Sequence, residues 1–358
     1  MRIRLSGTAG PAGWPAPNCR CASCNLAARN RRLPVRVTVD DAFALPVPGG
    51  GAPPRTPAGY RLTDTPYGIR LEAPDGGRLL HASPGASADP PVDPGADSPV
   101  PHQRVDLAIV DVVESPGAIG ALRRAGVVGA TTAVVAVGGD HRVHSPDEFA
   151  RRARLWGALA PSDGQELACP PSAWPPERIV GPHRVLVTGG ARSGKSTEAE
   201  RRLLGDPEVT YVATGPKPEG DESWARRVAA HQGRRPWWWR TEETLDVACV
   251  LGRARGAVLF DCVGTWLAGV MEDRGMWRDD PPAGAEEAVW AEAARLVEAW
   301  RTCPARIVAV TNEVGSGVVP GTVSGGLFRD WLGRLNQMLS AESEEVVLAT
   351  AGRVLQLP

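Results

Sequence analysis

The strongest constraint on the fold of this chain is one segment near its middle, Gly189-x-x-x-x-Gly194-Lys195-Ser196. An apolar, strand-like stretch at 184–188 leads into it, and helix-forming residues follow at 197–204. This order of strand, glycine-rich loop and helix is the context in which a phosphate-binding P-loop works. The alternative is that the glycine and lysine spacing matches the motif by chance and binds nothing. The strand-like residues before it and the helix-forming residues after it disfavour this alternative. The segment therefore predicts a site for a nucleoside triphosphate.

The chemistry of this loop follows from its residue types. Glycines let backbone N–H groups turn inward around a phosphate, and the next helix presents its positive end to the same anion. Lys195 can neutralise phosphate charge, and the Ser196 hydroxyl can bind Mg²⁺. The chain has 40 lysines and arginines, but only Lys195 and Lys217 are lysines, so a lysine in the loop indicates a chemical requirement. The predicted phosphate-binding residues are Gly189, Gly190, Ala191, Arg192, Ser193, Gly194, Lys195 and Ser196.

Length and charge limit the class of protein. A chain of 358 residues is long enough for two domains with their own cores. A net charge of -1 gives no reason to expect nucleic acid or an acidic membrane surface as a partner. No apolar stretch approaches the length of a membrane span, and the first residues lack the apolar core of a signal peptide. We therefore expect a cytoplasmic protein with no nucleic-acid partner and no membrane insertion.

Two breaks in composition divide the chain. The stretch 83–100, SPGASADPPVDPGADSPV, has no apolar period and is predicted to be a disordered or extended loop. The stretch 161–182 is again rich in proline and precedes the P-loop strand. We predict an N-terminal domain at 1–160, a linker at 161–182 and a P-loop domain at 183–358.

Apolar stretches alternate with amphipathic ones in the C-terminal half. The predicted strands there are 184–188, 210–214, 257–261, 306–311 and 346–351, and the predicted helices are 195–204, 223–231, 244–255, 286–302 and 327–341. This alternation is typical of a parallel sheet covered by helices on both faces, with ligands at its carboxyl edge. In the N-terminal half, strands at 35–39, 60–62, 105–113 and 132–137 and helices at 117–125 and 147–159 predict an α/β unit preceded by β-rich material.

Two further residues in the C-terminal half could take part in phosphate chemistry. Asp261 ends the apolar run Val-Leu-Phe-Asp, where a carboxylate can hold Mg²⁺ opposite Ser196. His231 lies between arginines and could attack phosphorus, since neutral imidazole is a nucleophile at physiological pH. Each has a plainer reading: an apolar run that ends in aspartate is common, and the residues alone favour a surface histidine on a basic helix.

Six motifs in a fixed order resemble one known family. They are GGARSGKS, YVATG, RRVAAHQGRRP with the following RTEE, VLFDC, TNEVGSGVVP and LFRDWLGRLNQ. Together they run from about residue 184 to the C-terminus and resemble the bifunctional adenosylcobinamide kinase / adenosylcobinamide-phosphate guanylyltransferase of cobalamin biosynthesis. The resemblance implies phosphorylation of adenosylcobinamide by ATP or GTP. Transfer of GMP from GTP then gives adenosylcobinamide-GDP and pyrophosphate.

The resemblance also implies roles for individual residues. It makes His231 the residue that carries GMP, and it places Lys195 beside it in the catalytic machinery, with Mg²⁺ at Ser196 and Asp261. Beyond the P-loop, the nucleotide contacts that it implies are Thr214, Gly215, Pro216, Gln232, Gly233, Arg234, Arg235, Glu243 and Asp261. It further implies a RecA-like fold and a homotrimer. Two alternatives stay open: a nucleotide-dependent binding or regulatory module, and a generic small-molecule kinase.

The sequence departs from the family pattern in several places. Some members have two adjacent histidines where this chain has Ala230 and His231, so His231 is its only candidate. The stretch that begins at Pro216 is one residue longer than usual, and Gly321-Thr-Val-Ser replaces a more acidic turn. The run Trp237-Trp238-Trp239 replaces a single tryptophan; it could be packing, which we favour, or a wall for the flat corrin ring.

The N-terminal half resembles the opening of metallo-β-lactamase-fold phosphodiesterases through LSGTAGPAGWPAPNCRCASC. Members bind two catalytic metals through a His-x-His-x-Asp-His cluster, which this sequence lacks, so we expect a truncated and inactive relative. Cys19, Cys21 and Cys24 could still hold a structural Zn²⁺, for which the resemblance implies His141 as the fourth ligand. Reduced thiols without metal are the alternative.

Overall fold

A computed structural model of the chain describes residues 1–48, 56–85, 104–172, 178–216 and 222–358. It divides into two compact units. The N-terminal unit comprises Met1–Ile179 with Leu204–Pro207, and the C-terminal unit comprises Val180–Leu203 with Glu208–Pro358. Most of the predicted loop at 83–100, part of the predicted linker and most of the lengthened stretch after Pro216 lie outside the described residues.

The N-terminal unit contains two sheets and short helices. Its strands are β1 (Arg2–Gly7), β2 (Arg36–Val39), β3 (Phe43–Ala44), β4 (Arg61–Thr65), β5 (Gly68–Glu72), β6 (Arg78–Ala82), β7 (Leu107–Asp111), β8 (Ala133–Val137) and β9 (Gln165–Ala168). Its helices are α1 (Ala22–Ala27), α2 (Ala118–Arg124) and α3 (Pro146–Leu155). One sheet has the order β3-β2-β1-β9 with antiparallel pairing, and the other has the order β4-β5-β6-β7-β8. In the second sheet, β6, β7 and β8 are parallel.

The two sheets pack face to face. Buried residues of β1 and β2, such as Ile3 and Val37, belong to one apolar cluster with Leu107 and Ile109 of β7. The opposite face of the five-stranded sheet packs against α2 and α3, because the alternate residues of β7 and β8 join a second cluster with Phe149. The unit therefore has three layers: helices, a mixed sheet and an antiparallel sheet.

Strand β9 corrects the prediction of a linker over 161–182. Residues 165–168 pair with β1, from Arg2 opposite Ala168 to Leu5 opposite Gln165. The strand is short, largely exposed and flanked by proline-rich sequence, so it has no apolar pattern that sequence analysis could detect. The pairing partner is more than 150 residues away, which local sequence cannot indicate.

The C-terminal unit is built around one seven-stranded sheet. Its strands are β10 (His183–Gly189), β11 (Val209–Ala213), β12 (Arg240–Glu243), β13 (Ala257–Asp261), β14 (Arg306–Val310), β15 (Glu345–Thr350) and β16 (Arg353–Leu357). Its helices are α4 (Lys195–Leu203), α5 (Glu222–Gln232), α6 (Val247–Gly252), α7 (Val263–Asp273), α8 (Ala285–Thr302) and α9 (Val323–Ala341). All five predicted strands and all five predicted helices are present within a few residues. Strands β12 and β16 and helix α7 were not predicted.

The strand order is β12-β11-β13-β14-β10-β15-β16, and every pair is parallel except β15 with β16. The expected all-parallel sheet is therefore wrong at one edge, where a short turn returns the chain as an antiparallel strand. Strand β14 separates the P-loop strand β10 from β13, which ends at Asp261. The carboxyl ends of the six parallel strands meet at one edge, and the loops that follow them form the candidate site.

Helices α7, α8 and α9 form the main apolar core with one face of this sheet. Phe260 and Ile307 from the sheet, Trp266 from α7, Trp300 from α8 and Leu332 from α9 lie in one buried cluster. Helix α4 packs against β10 and β14, so the P-loop helix is held by the central strands. Among the described helices, none combines the length and hydropathy that a membrane crossing requires.

Candidate functional site

The P-loop links β10 to α4 as the sequence predicts. Gly189 and Gly194 have φ angles of 159° and 98°, and Gly194 lies in a region that favours glycine. A Cβ atom on Gly189 would lie 2.4 Å from the Ala349 carbonyl oxygen, so no other residue fits there without a shift of the backbone. The turn after β15 supports the loop, since the Gly352 N–H donates to the Ser193 carbonyl at 2.9 Å.

Two polar side chains of the loop are suited to bind an anion. The Lys195 side chain is buried, and its Nζ donates to the Gly190 carbonyl at 3.1 Å, across the loop from its own position. The buried Ser193 Oγ has no hydrogen-bond partner among the described residues. Buried polar groups are normally satisfied, so an unsatisfied hydroxyl inside a phosphate-binding pattern fits a donor to a bound phosphate oxygen.

Asp261 lies at the carboxyl end of β13 and is held by a neighbouring tyrosine. The Tyr211 hydroxyl donates to Asp261 Oδ2 at 2.5 Å. Burial, together with this carboxylate, raises the pKa of Tyr211 well above its usual value, so the phenol remains a donor. The Arg235 guanidinium lies 3.3 Å from the centre of the Tyr211 ring, and its Nε is buried without a partner among the described residues. Asp261 is thus held by a tyrosine whose ring is covered by a cation.

His231 lies in the last turn of α5 and faces two acids. Its Nδ1 is 3.7 Å from Glu200 Oε1 and 3.6 Å from Asp261 Oδ2. Glu200 also accepts two hydrogen bonds from Arg234, each 3.0 Å long, one to each carboxylate oxygen. The His231 side chain is 19% exposed, so the expectation of a surface histidine on a basic helix is wrong. Its surroundings suit a positioned, reactive imidazole.

One cavity of about 220 Å³ brings most of these groups together. Nine of the predicted site residues line it: Lys195, Ser196, Gly215, Pro216, His231, Gln232, Arg235, Glu243 and Asp261. The other predicted residues do not line it. The remaining P-loop residues form the loop beside it, Gly233 and Arg234 lie in the turn after α5, and Thr214 lines an adjoining cavity.

The adjoining cavity has a volume of about 460 Å³ and shares a wall with the first. The shared wall comprises Ala213, Gly215, Pro216, Glu243 and Thr265. Glu272, Asp273 and Trp277 line the second cavity only. The Thr214 hydroxyl donates to the Cys262 carbonyl at 2.8 Å and so joins the ends of β11 and β13 beneath both cavities.

Several residues of the site were missed by sequence analysis. Tyr211, Glu200 and Thr265 belong to it, although Tyr211 and Glu200 lie inside a strand and a helix rather than in loops. The signal for Glu200 was its place on the P-loop helix, five residues after Lys195, but nothing local shows which group it contacts. Thr265 completes a capping box with Cys262 at the start of α7, a helix that was not predicted.

The end of β14 also contributes to the cavity. Asn312 lines the cavity, and its carbonyl accepts from the Asn336 side chain of α9 at 3.1 Å. Thr311 donates to the same Asn336 side chain at 2.6 Å. Because α9 thereby holds the turn after β14, this turn is a structural support as well as part of the cavity wall.

The three consecutive tryptophans do not share one environment. Trp238 and Trp239 are 5% and 7% exposed and belong to the core, whereas Trp237 is 45% exposed. The preference for packing therefore holds for two of the three residues. Trp237 contacts Trp238 edge to face, with ring centres 5.7 Å apart.

In the N-terminal unit, the sulfur atoms of Cys19, Cys21 and Cys24 lie within 4.8 Å of one another. Burial raises the pKa of Cys24 to about 11, whereas the backbone N–H of Cys24 lowers the pKa of Cys21. His141, the expected fourth ligand, is exposed and lies outside this cluster, because it sits in the turn before α3 with its side chain toward solvent. Three thiols, and not the predicted set of four ligands, are brought together.

Comparisons with known proteins agree with the geometry of the C-terminal unit. The family model described as cobinamide kinase / cobinamide phosphate guanyltransferase matches residues 185–357. The bifunctional adenosylcobalamin biosynthesis protein CobU of Salmonella typhimurium is 41% identical over 177 residues, which cover 47% of this chain and 96% of that protein. CobU of Escherichia coli is 39% identical, with 47% of this chain and 96% of that protein covered.

The corresponding protein CobP of Pseudomonas aeruginosa is 37% identical, with 49% of this chain and 96% of that protein covered. Among solved structures, an ATPase from a type III secretion system of pathogenic bacteria matches 47% of this chain and 51% of its own at 13% identity, with a TM-score of 0.33. The curated relatives are matched over nearly their whole length by the C-terminal half alone. The chain belongs to the cobinamide kinase / cobinamide phosphate guanyltransferase family.

Proposed function

We propose that the C-terminal unit performs both family reactions in one cavity, with His231 as the covalent carrier of GMP. The chain is a kinase and guanylyltransferase of adenosylcobalamin biosynthesis by family. The observation that carries the assignment of residues is that His231, Lys195, Ser196 and Asp261 line a single cavity. An imidazole nucleophile and a phosphate cradle must meet if GMP is to pass from GTP to the histidine.

The P-loop holds the phosphates of ATP or GTP in both reactions. Its backbone N–H groups and Lys195 balance the phosphate charge, and Arg235, which also lines the cavity, adds positive charge to it. The Ser196 hydroxyl and the Asp261 carboxylate both face this cavity, and such oxygen ligands suit Mg²⁺. When bound, Mg²⁺ supplies positive charge that stabilises the phosphates during transfer.

In the kinase reaction, the hydroxyl of adenosylcobinamide attacks the γ-phosphorus while the cradle fixes the nucleotide. The bond from that phosphorus to the bridging oxygen breaks, the nucleoside diphosphate leaves, and the hydroxyl proton passes to solvent. In the guanylyl transfer, a His231 nitrogen attacks the α-phosphorus of GTP, and pyrophosphate leaves. The phosphate of the corrinoid then attacks the same phosphorus and releases the histidine. Division into two in-line displacements lets each step use one positioned nucleophile. Glu243, Gly215 and Pro216 line the remainder of the nucleotide cavity.

Mass analysis of the corrinoid product tests this proposal directly. Incubation of the full chain with adenosylcobinamide, GTP and Mg²⁺ should give the phosphorylated corrinoid and then its GDP derivative. A generic small-molecule kinase gives only the phosphorylated product, and a binding or regulatory module gives neither. Either of those outcomes rejects the proposal.

We propose that the P-loop unit is RecA-like and works as a homotrimer. The single strand, β14, that lies between β10 and β13 supports the RecA-like fold. The exposed Trp237 offers apolar surface for contact between subunits of a trimer. Light scattering on the purified chain measures the assembly. A monomer at all concentrations contradicts it.

For the N-terminal unit we propose a degenerate metallo-β-lactamase-like domain that retains a structural zinc site. Its layers of helices and two facing sheets support the fold assignment. The three clustered sulfurs supply three ligands of a tetrahedral set. Ser23 of α1 donates to the Val143 carbonyl at 2.5 Å, which ties the segment 141–144 to the helix that carries Cys24.

The fourth ligand then comes from that segment. Neither of its histidines lies in the sulfur cluster, but His144 is half-buried whereas His141 is exposed, so we take His144 as the ligand. Metal analysis of protein purified without chelator should give about one zinc per chain. His144→Ala should lower this value and His141→Ala should not. Zinc below about half an equivalent in the unaltered protein contradicts the site.

A further inference from the structure

We propose that Glu200 is a positioning residue for guanylyl transfer. It fixes the His231 ring so that GMP is carried on Nε2. The proposal rests on the proposed role of His231 and adds which nitrogen reacts and what holds the ring. The proposal comes from the position of Glu200, a buried carboxylate for which the nucleotide-binding motifs give no role.

The ring orientation is the first observation. Nδ1 of His231 faces Glu200 at 3.7 Å and Asp261 at 3.6 Å, and both carboxylates are largely buried. The ring itself lines the cavity that contains Lys195 and Ser196. A carboxylate beside one imidazole nitrogen favours a proton there, so the lone pair resides on the other nitrogen. The nitrogen that remains to attack phosphorus is Nε2.

The anchoring of Glu200 is the second observation. Glu200 belongs to α4, the helix that begins at Lys195, and its side chain is 8% exposed. Two hydrogen bonds from Arg234, both 3.0 Å long, hold the carboxylate in place, and Arg234 lies three residues after His231. The bidentate pair therefore connects the P-loop helix to the end of the helix that carries the histidine. Such a link sets the position of the imidazole relative to the phosphate cradle.

The two carboxylates beside Nδ1 have different tasks. Asp261 accepts from the Tyr211 hydroxyl and faces Ser196 across the cavity, which fits a ligand of Mg²⁺. Glu200 does not line the cavity, so it acts on the histidine and not on the nucleotide. Among the side chains that the structure describes, charged groups beside the ring or in the cavity that it lines include Glu200, Asp261, Arg234, Arg235 and Lys195.

Transfer of GMP through His231 needs no reactant other than GTP and the corrinoid phosphate. The Nε2 lone pair forms a bond to the α-phosphorus while the bond from that phosphorus to the bridging oxygen breaks, and its electron pair leaves with pyrophosphate. The Nδ1 proton stays on the ring beside Glu200, which offsets the positive charge of the substituted imidazole. An oxygen of the corrinoid phosphate then attacks, the P–N bond breaks, and its electrons return to Nε2.

Identification of the phosphohistidine isomer provides the first test and needs no variant. The full chain is labelled with GTP, and NMR of the isotopically labelled protein distinguishes a phosphorus on Nε2 from one on Nδ1. We expect Nε2. Attachment at Nδ1 overturns the proposal while it leaves His231 as the carrier. Absence of label on His231 rejects the proposed function itself, so the two failures are distinguishable.

The second test compares two glutamate-to-glutamine variants. Glu200→Gln should lower the first-order rate of protein guanylylation at saturating GTP by at least about 10-fold, because small misplacement of a nucleophile costs on the order of 10²-fold. The GTP concentration for half-saturation should change by less than about 3-fold, since the phosphate cradle is intact. The ATP-dependent kinase rate, which does not use the imidazole, should also change by less than about 3-fold.

Glu222→Gln is the matched control. Glu222 forms an exposed ion pair with Arg226 on α5, so this variant removes the same charge from the histidine helix without contact with the ring. It should leave all three values unchanged. Equal labelling rates in Glu200→Gln and Glu222→Gln, or a parallel loss of kinase and guanylylation rates in Glu200→Gln, contradict the positioning role.

Discussion

The hydroxyl of Tyr211 offers a change of one atom that tests how the site is built. Tyr211→Phe removes the donor to Asp261 but keeps the aromatic ring under the Arg235 guanidinium. A hydrogen bond to a charged acceptor contributes about 1.5–3 kcal/mol. The Asp261 side chain is only 12% exposed, so little solvent is available to replace the lost donor. We therefore expect Tyr211→Phe to destabilise the C-terminal unit by about 2 kcal/mol.

A loss of this size corresponds to a fall of about 4–8 °C in the melting temperature of a unit of this length. Guanylylation should slow by about 10-fold, which corresponds to about 1.4 kcal/mol, because Asp261 is no longer fixed. Tyr60→Phe is the control, since the Tyr60 hydroxyl donates to Asp40 at 2.6 Å in the N-terminal unit. It should lower stability and leave guanylylation unchanged.

The stability that Tyr211 and Tyr60 contribute should depend on pH in a defined direction. Burial beside Asp261 raises the pKa of Tyr211 above 10, and the hydrogen bond to Asp40 raises the pKa of Tyr60 to about 12. A folded-state pKa above the unfolded value means that the contribution to stability is complete below pH 10 and is lost as the pH rises further. Each phenylalanine variant should lack the part of this alkaline loss that comes from its own tyrosine and keep the part that comes from the other. Thermal unfolding of the three proteins at several pH values measures it, and identical profiles for wild type and Tyr211→Phe refute the reasoning.

Three further perturbations test other parts of the structure. The hydrogen bond from His183, together with Arg202, lowers the pKa of Glu345 to about 2. The stability that Glu345 contributes is therefore present above about pH 4.5 and is lost as the pH falls toward 2. In denaturant unfolding, Glu345→Gln should reduce this loss of stability at acid pH. Gly189→Ala places a methyl group 2.4 Å from the Ala349 carbonyl and should weaken GTP binding by more than about 10-fold in calorimetry, with unaltered affinity as the contrary result. Trp300→Ala should lower the unfolding free energy by about 3–5 kcal/mol, because Trp300 is fully buried. Trp237→Ala, at a half-exposed position, should lower it by less than about 1 kcal/mol. Equal losses contradict the packing described above.

Much of the C-terminal fold could be predicted because its central strands are short, apolar and separated by amphipathic helices. Strand β13 begins and ends where the sequence indicates, since its apolar residues stop at Asp261. Strand β12 lies at an edge and is mostly exposed, so it carries little apolar signal. Helix α7 contains two glycines and follows Asp261 almost at once, which hides its beginning in the sequence.

The candidate site was predictable as far as its motifs reach. The P-loop and Asp261 depend on local patterns at the ends of strands, and these patterns place them at one sheet edge. The contacts of His231 depend on residues from two distant segments. Glu200 of α4 and Asp261 of β13 approach the ring through the tertiary fold, and no spacing in the sequence encodes that approach.

The central claim is that His231 alone carries GMP between GTP and the corrinoid. The most direct measurement is incubation of wild-type protein and His231→Ala with GTP labelled at the α-phosphate, with the ATP-dependent kinase rate measured on the same preparations. We expect acid-labile label on wild type, none on the variant, and kinase rates that agree within about 3-fold. Label retained on His231→Ala, or guanylyl transfer to the corrinoid by that variant, contradicts the claim.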